Sequence, residues 1–239
     1  MTSNADQSTP IARRKPGVRR SGATDRVTDA LREAIVSLEL PPGAMLDKAV
    51  LTARFGVSRF PISEALNRLK AEGLVEVRPQ SGSRVSLLRL ADVHENLFLR
   101  RALEAEVVET LAGGDNAGLI AELRRNLRYQ KAAVDADDRQ GFHRLDIAFH
   151  GMMVSAVSYP RVHATVEHAW LALDRVRRLL GSPRRLALTF DEHVRVVDAL
   201  ETGDPQEVRA AMVAHLDAVT LELEAFSQDH PDVFADSQA

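Results

Sequence analysis

The chain has 239 residues, 45% hydrophobic, 27% charged and 5% aromatic, too apolar for a disordered polyelectrolyte and long enough for two domains that each bury a core. It has no cysteine, which excludes disulfides, iron–sulfur clusters, thiolate metal sites and a cysteine nucleophile, and no apolar run approaches the ~20 residues that cross a bilayer, so a cytoplasmic protein without a membrane partner is expected. The formal net charge of −3 is unevenly spread: residues 1–90 hold 15 Lys and Arg against 9 Asp and Glu, residues 91–239 hold 16 against 25, and all eight histidines lie in the second part. Only the front third suits a polyanion.

Residues 1–23 combine Pro10, Pro16, Gly17 and Gly22 with five basic residues and no apolar periodicity, the pattern of a flexible basic arm. From Thr24, an N-cap type, Val27, Ala30, Leu31 and Ile35 recur at helical spacing until Pro41-Pro42-Gly43 forces a turn. A short second helix spans Asp47 to Phe55 with Val50, Leu51 and Phe55 inward, ended by Gly56. Ser58 is placed to cap a third helix that runs to about Glu72, with Pro61 in its first turn. After Gly73 the pattern alternates, with Leu74, Val75 and Val77 and then Val85 and Leu87 around a polar tip at Ser81-Gly82-Ser83, which predicts a hairpin. Three helices and a hairpin within residues 24–90 make a winged helix-turn-helix.

Beyond Leu90 every periodic segment reads as helix: about 92–112, 117–134, 139–157, 160–180, 184–202 and 205–227. The expected fold is therefore mainly α, the winged head followed over residues 91–228 by an all-α antiparallel bundle of six to seven helices. Gly203-Asp204-Pro205 with Glu207 gives a sharp stop and restart. The tail, 229–239, lacks periodicity and is expected to fray.

On the third helix Ile62, Ala65, Leu66 and Leu69 form the inward stripe and Arg59, Ser63, Asn67 and Lys70 the opposite one. Such a split suits a helix lodged in the major groove of duplex DNA. A guanidinium at Arg59 can give two hydrogen bonds to guanine, whereas Lys70 suits phosphates. Ser58 and Gly82 suit cap and turn roles as well as DNA contact. In the bundle, Phe142, Leu145, Phe149, Met152 and Met153 form an apolar stripe that also carries Asp146 and His150. His193 and His215 sit on the apolar faces of two later helices. One inward histidine is ordinarily a satisfied core residue; three with a carboxylate suggest compensation by a cation. His143 reads as a surface residue or a support for Asp146, and Trp170, Leu171 and Leu173 as core or dimer contacts.

The runs Leu31-Arg32-Glu33-Ala34-Ile35, Pro42-Gly43, Gly56-Val57-Ser58-Arg59-Phe60-Pro61-Ile62-Ser63-Glu64-Ala65-Leu66, Glu72-Gly73-Leu74-Val75 and Gly82-Ser83-Arg84-Val85 resemble the DNA-binding domain of GntR-family transcription regulators, and residues about 92–222 resemble the FCD effector domain of the FadR subfamily. The resemblance implies base contact by Arg59, backbone contact by Ser58 and a wing contact at Gly82. Phe60 and Ser63 stand where the family has threonine and arginine, so those two DNA contacts are altered. It also implies a divalent ion (zinc, nickel or manganese) on Asp146, His150, His193 and His215, and a small carboxylate effector held by Arg100. The spacing of Arg100 equally suits an ion pair with Glu104. The implied function is a homodimer on a near-palindromic double-stranded operator, its DNA binding modulated by the effector. A metal-dependent hydrolase and a constitutive architectural DNA-binder with a structural metal are the alternatives.

Overall fold

The computed structural model describes residues 22–78 and 82–235. The expected basic arm up to residue 21, the wing tip around Ser81 and residues 236–239 lie outside them. Helix α1, Ala23–Val36, begins two residues earlier than a cap at Thr24 allows, because the Gly22 amide donates to the Asp25 carboxylate at 3.0 Å and makes Gly22 the cap. Asp47 caps α2, Lys48–Phe55, by accepting from the amides of Ala49 and Val50, and Gly56 closes it at φ +61°. Helix α3, Arg59–Ala71, starts at Ser58, whose side chain makes no cap hydrogen bond. It buries Ile62, Ala65, Leu66 and Leu69 against Val27, Leu31, Ile35 and Leu51. Ala30 and Val50, expected inward, are exposed, since the buried stripes run through Leu31 and Leu51, one residue further round each helix.

Strands β1, Val75–Arg78, and β2, Gly82–Val85, pair antiparallel with Val75 opposite Val85 and Val77 opposite Ser83. The far edge of β2 is also covered: Leu46 donates to the Ser83 carbonyl and Val85 to that of Ala44. The turn after Pro41-Pro42 therefore runs on as a third, short edge segment.

Six helices follow: α4, Leu90–Leu111; α5, Ala117–Asp135; α6, Arg139–Ala156; α7, Pro160–Leu180; α8, Pro183–Thr202; and α9, Pro205–Asp229. Packing pairs α4 with α9, α9 with α8, α8 with α5, α5 with α6, α6 with α7 and α7 with α4, a closed ring around Val108, Leu123, Phe149, Val196, Val197, Met212 and Leu216. Asp204 caps α9 through the amides of Gln206 and Glu207, with Pro205 in the first turn.

The expectation of a frayed tail is overturned as far as residue 235. Phe234 is fully buried among Leu88, Val93, Leu173, Val176 and Leu223. Leu88, in the link between head and bundle, donates to the Val233 carbonyl at 3.0 Å, and Ala235 donates back to Leu88 at 2.8 Å. The absence of periodicity reflects a single 3-10 turn, Pro231–Val233, followed by one bridge, docked by one aromatic.

Candidate metal centre and nucleic-acid interface

Every helix of the ring sends at least one polar side chain into its interior: Arg100 and Glu104 from α4, Gln130 from α5, Asp146 and His150 from α6, Arg177 from α7, Glu192 and His193 from α8, and His215 from α9. His150 and His193 are fully buried and His215 and Asp146 nearly so. The four expected ligands come together. The Nε2 atoms of His215 and His150 are 3.3 Å apart, Asp146 Oδ1 lies 3.4 Å from His193 Nε2 and 3.7 Å from His150 Nε2, and ligand nitrogens of the three histidines all fall within 4.8 Å of one another. Donors ~2.1 Å from one ion stand roughly 3.0–3.4 Å apart in octahedral or tetrahedral arrangement, close to these separations.

The other ring nitrogens fix which atom faces inward. Asn126 donates to the Leu145 carbonyl at 3.0 Å and Gln130 donates to Asn126 Oδ1 at 2.7 Å. That turns the Gln130 oxygen toward His193, whose Nδ1 donates to it at 2.8 Å. His215 Nδ1 stands 2.8 Å from Glu192 Oε2, and His150 Nδ1 2.6 Å from Glu104 Oε2. Carboxylates only accept, so His215 carries its proton on Nδ1; the nearness of Glu104 favours the same tautomer for His150, although its Nδ1 makes no hydrogen bond there, and each Nε2 then presents a lone pair. His193 Nε2 is buried with no hydrogen-bond partner. Three lone pairs and a carboxylate oxygen converging without a donor repel one another unless a cation sits among them. The residues present thus suit a divalent ion.

The electrostatics agree. Burial keeps His150 and His193 below the usual imidazole pKa and lowers His215 to about 4, so all three are neutral near pH 7, the form that binds metals. Burial alone would raise the Glu104 carboxyl, but Arg100 and His150 outweigh it and hold it below the usual range. Glu104 is a hub, beside His150 and accepting from Arg100 Nε at 2.7 Å and Trp170 Nε1 at 3.1 Å. Arg100 is therefore in the ion pair that its spacing allowed, almost wholly buried. It also borders a cavity of about 220 Å³ beside Asp146 and His215, whose walls include Arg139, Arg177 and Arg178 and, from the head, Ser37 and Leu38. Arg177 pairs with the second oxygen of Asp146, while its Nη1 is buried without a hydrogen bond.

Sequence reasoning missed Gln130, Glu192 and Arg177, and placed Glu104 only beside Arg100. Two of them had a signal: Asn126 and Gln130 share a stripe with the buried Leu123 and Leu127, and Arg177 one with Leu173 and Leu180. His143 is buried rather than on the surface, because it faces Asp174 of α7.

On α3, Arg59, Phe60, Asn67 and Lys70 are exposed and Ser63 is half-buried, beside the exposed Ser58. Gly82 begins β2 at φ +82°, a conformation that favours glycine.

Comparison with known proteins agrees with both halves. The family described as bacterial regulatory proteins, gntR family, matches residues 23–85, and the FCD domain matches residues 95–218. An HTH-type transcriptional regulator in an unstable DNA locus of Streptomyces ambofaciens is 37% identical, over 87% of this chain and 88% of that one. The HTH-type transcriptional repressor RspR of Escherichia coli K12 is 30% identical, over 86% and 91%. The crystal structure of a GntR transcriptional regulator from Rhodococcus sp. RHA1 superposes with a TM-score of 0.67 at 26% identity, covering 84% of this chain and 98% of that one. These proteins are regulators, not enzymes, which removes the hydrolase alternative.

Proposed function

Because the chain belongs to the gntR family of bacterial regulatory proteins, with an FCD domain behind its DNA-binding head, we propose that it is a metal-dependent, metabolite-responsive transcription regulator of the cytoplasm. It acts as a homodimer on a near-palindromic operator. Arg59 reads a base, Asn67 and Ser63 face the major groove, and Ser58, Lys70 and Gly82 meet the backbone. Asp146, His150, His193 and His215 hold a divalent ion, and the effector is a small carboxylate in the adjoining cavity, met by Arg100 and by the free Nη1 of Arg177. When bound, the ion supplies positive charge and open coordination positions for an anion. Zinc, nickel and manganese all suit this donor set.

The observation that carries the reading is the convergence of three imidazoles and one carboxylate oxygen, with His193 and His215 hydrogen-bonded from behind and His150 Nδ1 set 2.6 Å from Glu104. Support for communication with the head comes from one stretch of α7. There Asp174 meets His143, Arg175 donates to the Ser86 carbonyl in the link to the head at 2.5 Å, and Arg177 meets Asp146. A ligand that draws Arg177 away from Asp146 moves the helix that grips the link. Such a ligand changes DNA occupancy only through different affinities for the two arrangements.

The test is a screen of small mono-, di- and tricarboxylates against operator binding by metal-loaded protein, with His193→Ala as control. One acid should shift the affinity of the wild type and leave the variant unmoved. If no acid changes DNA binding, or if the variant responds equally, the effector reading fails.

A further inference from the structure

We propose that Phe60 is a specificity-determining residue that reads the 5-methyl group of thymine in the major groove. The inference rests on the DNA-binding reading of α3 and adds the chemistry of one position. Phe60 is 75% exposed at the start of α3. Ile62, Ala65, Leu66 and Leu69 turn inward, and the periodicity of a helix puts Phe60 in line with Ser63 and Asn67 on the face directly opposite. Because each Cα–Cβ bond tilts toward the N-terminus, Phe60 leads this face toward whatever the helix enters. Arg59 stands exposed beside it, and Glu64, the acid nearest on the helix, lies 3.7 Å from Arg68.

A phenyl ring has no donor or acceptor. On a surface otherwise built to meet phosphates and base edges, it has one apolar counterpart in the major groove, the thymine methyl. Minor-groove wedging is the other use of an aromatic on DNA, but the Arg59, Asn67 and Lys70 companions have the hydrogen-bonding pattern of a major-groove helix. The altered position thus shifts the balance of contacts: threonine offers a hydroxyl and one short methyl group, and Phe60 offers a longer reach and a whole ring of apolar area.

The test uses the full-length protein and duplexes that it enriches from a random-sequence pool. In the best duplex each thymine is replaced in turn by deoxyuracil, which removes only the methyl group, and affinity is read by fluorescence anisotropy for wild type, Phe60→Ala and Phe60→Thr. The wild type should lose about fourfold at one thymine in each half-site, the worth of one methyl group returned to water. Both variants should bind the thymine and uracil duplexes equally well, with unchanged melting temperature. Wild-type indifference to uracil at every position overturns the assignment. So does a sensitivity that both variants retain, since another group then reads the methyl. A Phe60→Ala that keeps that sensitivity but changes its oligomeric state assigns the ring to a second copy instead. Failure of the wild type to enrich any sequence counts against the DNA-binding reading of α3 itself, and is thereby distinguished from failure of the Phe60 assignment.

Discussion

Gln130 and His193 sit on different helices of the ring, and the side-chain oxygen of Gln130 accepts from His193 Nδ1 at 2.8 Å. The bond determines the tautomer: with the proton on Nδ1, His193 Nε2 can only offer a lone pair to the interior, where it meets the ligand atoms of His150 and His215.

Gln130→Leu removes that acceptor and should weaken metal affinity about 10- to 100-fold, the usual weight of a ligand's outer partner. Gln130→Glu keeps an acceptor toward His193 and should retain most of the affinity. Competition against a calibrated chelator separates the two variants. Equal affinities would show that the tautomer is fixed by something other than Gln130.

Arg100 and Glu104 form a pair almost wholly removed from water. Arg100→Ala strands a buried carboxylate and should cost about 3–5 kcal/mol in urea unfolding, while Arg100→Met combined with Glu104→Gln should cost much less, because no charge is left unpaired. If Arg100→Ala is as stable as wild type and only the effector response is lost, Arg100 serves the ligand alone.

Arg59 and Lys70 are expected to fail differently. Arg59→Ala should lose about 1–3 kcal/mol on the preferred operator and relax the choice of one base. Lys70→Ala should weaken all sequences alike and lower the salt-dependence slope by about one. Anisotropy titrations at several salt concentrations on cognate and scrambled duplexes read both effects.

The Leu88 amide donates to the Val233 carbonyl, and Phe234 is buried against the same link. A chain ending at His230 should exchange its Leu88 amide with solvent far faster than wild type, with the ring of helices still protected. Unchanged protection at Leu88 would mean that the link is held without the tail.

Much of this was legible in the sequence because local chemistry and tertiary placement agree. Pro160, Gly203 and Pro205 stand at helix ends, and Asp146, His150, His193 and His215 betray themselves as polar residues on apolar stripes. The less legible contacts depend on ring order. Nothing local says that Glu104 of α4 faces His150 of α6, or that the neighbour of His193 along the chain, Glu192, serves His215 on α9. Phe234 was illegible for another reason: one aromatic among polar residues has no period to detect, and its anchoring comes from Leu88, almost 150 residues earlier.

The proposed divalent ion in the interior of the ring is open to direct measurement. Metal analysis by mass spectrometry after equilibrium dialysis against zinc, nickel or manganese tests it most directly. One ion per chain is expected for at least one of these metals, with loss of that ion in His193→Ala. A wild-type protein that retains none of the three, or a His193→Ala variant with an undiminished ratio, would contradict it.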